Sequence, residues 1–141
     1  MKDCLIIGAV LATTYDEVVE LFKDKTFKRG YNTIYYYTDE SGDLIRAGEC
    51  FWYSTISNYT LKDLNPNIRY SPENYQIYDD YPAIEVNHFK HFPVDYNGLI
   101  GVPTSAILRR NIIGKYKIVA GPMRPKCNGK TKFPRLIIKK V

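Results

Sequence analysis

His88 and His91 stand three residues apart, with Glu85 and Asp95 close by. A metal centre needs three or four convergent ligands and a supporting second layer of hydrogen bonds. Two histidines beside Phe89, Phe92 and Pro93 are instead read as turn or surface residues. Cys4, Cys50 and Cys127 are odd in number, widely spaced and without C-x-x-C, which argues against a disulfide framework, a zinc knuckle or a paired thiol nucleophile and fits a reducing compartment. Ser54, Ser57, Ser71 and Ser105 lack a G-x-S-x-G context, and no G-x-G-x-x-G or G-x-x-x-x-G-K-[ST] phosphate cradle occurs. The expectation is therefore no catalytic, cofactor-binding or metal residue in this chain.

The chemistry that remains is electrostatic. From Gly98 to Val141 there are eleven Lys or Arg and no Asp or Glu, whereas the preceding residues hold nine bases against fifteen acids. A one-signed surface of that size concentrates polyanions. Arg109, Arg110, Lys115, Lys117, Arg124, Lys126, Lys130 and Lys132, extended by Arg135, Lys139 and Lys140, are the candidate phosphate-facing residues. Each phosphate contact would release counterions and make binding salt-dependent. Phe51-Trp52-Tyr53 and a Tyr-rich stretch add candidate stacking groups, with core packing the competing reading for Trp52.

These residues need elements to place them. The apolar run 4–11 has the length of a strand covered on both faces. Thr14-Tyr15-Asp16-Glu17 reads as a capping box, opening a helix that ends near Asp24. Residues 33–38 and 44–56 read as a β-hairpin about the polar turn 39–43, and 57–81 as a long Tyr-rich loop. Further on, 83–86 and 116–120 are strand candidates, 99–102 is an apolar run, and a short helix is expected from Thr104 or Ser105 through Leu108. Asn128-Gly129 is a turn signal before a terminal strand in 132–140, where Pro134 implies a late start or an edge position. At 141 residues the chain is read as one domain, 1–141: strands, one helix and a hairpin in 1–56, the loop 57–81, and a basic region 82–141. The early apolar run is too short to cross a membrane and nothing resembles a signal peptide, so the cytoplasm is expected.

One segment is distinctive. Tyr81-Pro82-Ala83-Ile84-Glu85-Val86, followed by Phe92-Pro93-Val94-Asp95-Tyr96-Asn97-Gly98-Leu99-Ile100-Gly101-Val102-Pro103, closely resembles the "D-A-I-x-V" and "I-P-x-D-Y-x-G-x-M-G-V-P" segments in the C-terminal half of EcoRI-type adenine-specific DNA methyltransferases. In the same order, Leu5-Ile6-Ile7-Gly8 with Thr14, Tyr15 and Glu17 resembles the strand and helix after that family's catalytic loop. Phe51-Trp52-Tyr53-Ser54-Thr55 resembles its "W-F-T-N" strand, and Arg135-Leu136-Ile137-Ile138-Lys139-Lys140 its "R-I-L-I-R-R" strand. The resemblance implies an α/β fold: the later strands of a partial Rossmann-like methyltransferase sheet, with a mixed, β-rich, DNA-facing C-terminal region. It also implies S-adenosylmethionine as donor and adenine N6 of double-stranded DNA as acceptor. The family's [DN]-P-P-[FY] loop has no counterpart, since the chain contains no Pro-Pro, so no catalytic residue is carried over. Thr104 to Asn111 departs from the family's "I-T-F-L-D-K-Y-N", and the segment between Gly121 and Asn128 is shorter than usual. The expected role is the DNA-recognition portion of a restriction–modification or phage methyltransferase, paired with a separately encoded N-terminal half. The alternative is a non-catalytic DNA-binding module or truncated remnant.

Overall fold

The structure is a computed structural model that describes residues 2–141. It is mixed α/β and β-rich, with two short α-helices among the described residues. Contacts divide the chain into two compact units, the first ending at Thr60 and the second spanning Leu61–Val141. The sequence alone suggests a single domain with a loop beginning at 57.

In the first unit, β1 (Leu5–Ala9), β2 (Lys28–Thr38) and β3 (Leu44–Ser54) form a sheet in the order β1-β3-β2. The later strand β3 is antiparallel to both neighbours, so β1 and β2 run in the same direction. The chain passes between them through a 3-10 turn at Val10–Thr14 and helix α1 (Asp16–Lys23). The expected capping box does not form. Thr14 is still inside the 3-10 turn, where its hydroxyl donates to the Leu11 carbonyl at 2.7 Å, and Tyr15 occupies the cap position without a side-chain bond. The hairpin extends further back than residue 33, and its tip is held by Asp39, whose Oδ1 accepts the Ser41 and Asp43 amides at 2.9 and 3.0 Å.

Strand pairing sorts the side chains. Ile6↔Tyr53 and Gly8↔Phe51 lie on one face, Leu5↔Ser54 and Ile7↔Trp52 on the other, because side chains alternate along a strand. Helix α1 covers the first face through buried Val19 and Phe22, with Phe22 edge-on to Tyr53 at 5.3 Å. Tyr53 leaves no room for a side chain at position 8: a Cβ on Gly8 would stand 2.5 Å from its ring. The Tyr53 hydroxyl donates to the Ala9 carbonyl at 2.7 Å, and burial pushes its pKa up to about 12. The other face is open. On it Leu5 and Ile7 remain 56% and 53% exposed, and Ile6 on the helix side is still 45% exposed, which corrects the expectation that this run is covered on both sides. β1 pairs with β3 alone and lies at the sheet's edge.

The second unit holds β4 (Ala83–Glu85), β5 (Leu99–Pro103), β6 (Tyr116–Met123) and β9 (Arg135–Lys140) in the order β4-β5-β9-β6. Helix α2 (Ala106–Arg109) and the two-residue strands β7 (Lys126–Cys127) and β8 (Lys130–Thr131) complete it. β4 and β5 are parallel, and β9 is antiparallel to both β5 and β6. The terminal strand starts after Pro134, where no ladder N–H is lost, and it is central rather than at an edge. Leu136, Ile137 and Ile138 are fully buried there: Leu136 and Ile138 stand opposite Val102 and Ile100, while Ile137 joins Tyr78, Ala83 and Cys127 in a core cluster.

An edge strand with exposed leucine and isoleucine and no charge or proline to guard it invites pairing with another chain. The protein should scatter light above monomer mass in a concentration-dependent way, and Ile7→Lys should return it to monomer. A wild-type monomer across the same range would show that the edge is protected.

Candidate nucleic-acid interface

The charge asymmetry follows the two units. Up to Thr60, six bases face nine acids, for −3; from Leu61 onward, fourteen bases face six acids, for +8. Each of those six acids accepts a hydrogen bond within its own unit. Asp63 takes the Lys115 ammonium at 2.6 Å and the Asn111 amide at 3.1 Å, and these bonds hold its carboxyl below the usual carboxylate range. Glu73 is lowered by a hydrogen bond from Ser71. Asp95 accepts the Tyr70 amide at 2.8 Å, and Asp80 the Lys126 amide at 2.9 Å. Asp79 accepts the Asn128 and Gly129 amides at 3.2 and 2.7 Å. Glu85 binds Arg135.

This gives the basic residues two settings. The first is the β7–β8 ribbon, whose turn uses left-handed conformations at Asn128 (φ 51°) and Gly129 (φ 73°), as a tight hairpin requires. Asp79 and Asp80 brace the ribbon from below, and Arg124, Lys126 and Lys130 are exposed around it, with Lys132 half-buried. The second is the edge of the four-stranded sheet. Here Lys117 of β6 stands directly opposite Lys139 of β9, both exposed. Like charges opposite each other on a sheet destabilise it unless something negative lies over them.

Other candidates are placed differently. Lys115 is paired with Asp63, and the Lys140 ammonium donates to the Val94 carbonyl at 3.0 Å. Arg110 turns back on the Arg109 carbonyl at 2.7 Å, with its guanidinium 5.0 Å from the Phe89 ring centre; both arginines are half-buried at the end of α2. Arg135 is not on the surface at all. It is buried, with Nη2 2.8 Å from Glu85 Oε1 and 3.0 Å from Asn87 Oδ1, and Nε 3.2 Å from Glu85 Oε2. The Tyr78 hydroxyl donates to the same carboxylate. Burial opposes the charge on Arg135, yet these bonds raise its pKa. Burial, followed by the hydrogen bond to Glu85, likewise pushes the Tyr78 phenol upward. Among the proposed stacking groups, Phe51 and Tyr53 are buried in the first unit's core and Trp52 is half-exposed, while in the Tyr-rich stretch Tyr78 is buried and Tyr59, Tyr70, Tyr75 and Tyr81 are half-buried.

The distinctive segment Asp95–Pro103 proves to be scaffold. Tyr96 lies 4.3 Å from Tyr70, and its ring occupies the space of a Cβ on Gly98. The Tyr78 ring does the same at Gly101. Asp79 and Asp80 were missed as organising residues because nothing in their local sequence marks them as partners of a turn fifty residues away; distance along the chain hides such pairs.

Among the described residues no helix is long and apolar enough to cross a membrane. A β-rich unit with a basic strand edge and a basic ribbon defines a candidate polyanion-binding protein. The chain belongs to the EcoRI adenine-specific methyltransferase family, whose model matches residues 1–130. It is 28% identical to the type II methyltransferase M.EcoRI of Escherichia coli, over 98% of this chain and 50% of that protein. It is also 28% identical to the type II methyltransferase M.MgeORF184P of Mycoplasma genitalium, over 99% of this chain and 57% of that protein. The chain thus spans about half the length of these relatives. No solved structure matches it.

Removing one partner of a buried ion pair strands the other, at a cost of about 3–5 kcal/mol. Arg135→Met should lower stability to urea by that order, while Arg135→Met with Glu85→Gln should recover part of the loss, since no charge is then buried alone. Equal destabilisation by the single and double variants would contradict this account of the pair.

Proposed function

We propose that this chain is the DNA-recognition portion of a site-specific DNA adenine-N6 methyltransferase of a restriction–modification or phage system. Membership of the adenine-specific family supports the reaction class. The single observation that carries DNA binding is the Lys117–Lys139 pair, two exposed like charges held opposite each other across the ladder between the edge strand β6 and its neighbour β9 while the unit's acids are engaged elsewhere. Arg124, Lys126, Lys130 and Lys132 on the ribbon would extend the phosphate contacts, with Arg109, Arg110 and Lys115 at the margin.

The residues present do not fit S-adenosylmethionine. β1 runs directly into the 3-10 turn Val10–Thr14, which contains no glycine to let a backbone approach a donor. A separate N-terminal half would supply the donor site and the adenine-holding loop. The unpaired outer edge of β1 is where the earlier strands of a larger, Rossmann-like sheet would join. The three cysteines are all unpaired, in keeping with a cytoplasmic setting. The lack of a Pro-Pro loop equally favours the second reading, a DNA-binding module without catalysis.

Anisotropy of a labelled DNA duplex, titrated across a salt series, tests the binding claim. Affinity should fall linearly on a log–log scale, and Lys117→Ala with Lys139→Ala should reduce the slope by about two. Affinity indifferent to salt would refute the basic-surface model. In the same preparation, calorimetry with S-adenosylmethionine should give no binding heat; measurable heat would mean that the chain holds its own donor site.

A further inference from the structure

The β7–β8 ribbon is too small to hold its own shape. Its ladder has two residue pairs, Lys126↔Thr131 and Cys127↔Lys130, and a lone two-stranded hairpin is at best marginally stable in water. The tip stands clear of the rest of the unit: Asn128, Gly129 and Lys130 are exposed, and a Cβ built on Gly129 would meet nothing within 4 Å. Something outside the ribbon must therefore fix it.

The fastenings come from the segment before β4. The Asp79 amide donates to the Lys126 carbonyl at 2.8 Å, and the Lys126 amide donates to Asp80 Oδ1 at 2.9 Å. Asp79 also reaches the turn, with Oδ1 accepting the Asn128 amide at 3.2 Å and Oδ2 the Gly129 amide at 2.7 Å. One carboxylate thus holds two successive amides of the turn. Buried Cys127 ties the ribbon into a cluster with Tyr78, Ala83 and Ile137. The acids engage the backbone and not the lysines. Among the described residues, neither Asp79 nor Asp80 forms an ion pair, and the exposed Lys126 and Lys130 ammonium groups have no partner.

We propose that Asp79 is a positioning residue for DNA binding, holding the ribbon so that Lys126 and Lys130 meet backbone phosphates, a proposal that rests on the DNA-binding reading above. Charge and position make opposite demands on this side chain. A carboxylate beneath a basic ribbon opposes a polyanion through its field. The same carboxylate fixes the turn beforehand, and ordering a loose turn on binding costs entropy that a preordered one does not lose. Two bonds from one side chain to adjacent amides make position the stronger effect.

Anisotropy of a labelled DNA duplex across a salt series separates the two effects by sign. Asp79→Ala removes a negative charge, so the field alone would tighten binding. Instead it should bind more weakly than wild type, with a log–log slope shallower by about two, one for each lysine set loose. Asp79→Asn keeps one acceptor oxygen for the turn and should return most of that slope. With Lys126→Ala and Lys130→Ala already in place, Asp79→Ala should no longer weaken binding, because no lysine is left to position. Hydrogen exchange gives a readout without DNA: the Asn128 and Gly129 amides should be protected in wild type and released in Asp79→Ala, while the β9 amides stay protected. Tighter binding by Asp79→Ala, an equal loss with and without the two lysines, or freely exchanging turn amides in wild type would each overturn the proposal. A wild type without salt-dependent duplex binding would sink the DNA reading and this proposal together. Steep wild-type binding that Asp79→Ala tightens would sink this proposal alone.

Discussion

The second unit is organised by one buried charge pair. Arg135 and Glu85 meet at 2.8 Å with almost no access to water. Desolvating both charges is costly, so the pair tolerates burial only because its geometry is bidentate and its remaining sites are filled. Asn87 and the Phe133 carbonyl complete the guanidinium, and Tyr78 completes the carboxylate. Glu85 ends β4 and Arg135 begins β9, so the pair sets the relative position of two strands separated by β5. Tyr78 then fits over Gly101 of β5, the strand between them. The segments A-I-E-V, G-V-P and R-L-I-I-K-K are thus three parts of one polar clasp within an apolar core.

That clasp explains why family likeness and chemistry do not coincide in this chain. The segments most distinctive in sequence are those whose side chains must match one another over long separations: Asp95 with the Tyr70 amide, Tyr96 with Tyr70 and Gly98, Tyr78 with Gly101 and Glu85. Their matching is a requirement of packing and desolvation. The bases that could meet DNA stand on the outer side of the same strands and need no partner within the chain beyond a position on a rigid edge.

Local rules made much of this architecture legible. β-branched and aromatic runs marked β2, β3, β6 and β9; Asn128-Gly129 marked the ribbon's turn; and Pro134 correctly delayed the last strand. Rules about environment were weaker. An apolar run such as Leu5–Ala9 looks the same whether neighbours cover it or not, because composition reports what a strand prefers and not what is available to cover it. Arg135 was grouped with the surface bases because charge type alone predicts exposure, and its acidic partner lies fifty residues earlier. Thr14 matched a capping box in spelling, but a preceding 3-10 turn had already engaged its hydroxyl.

The acid-free stretch after Gly98 gains a sharper meaning from these pairings. One of its bases is internal, and the unit's acids all come from the residues before it, each bound to a backbone amide, a hydroxyl or a specific cation. Were the surplus charge a solvated surface of no consequence, nothing would favour setting Lys117 and Lys139 directly across a ladder, where each raises the cost of the other. Fold stability alone would favour an acid at one of the two positions.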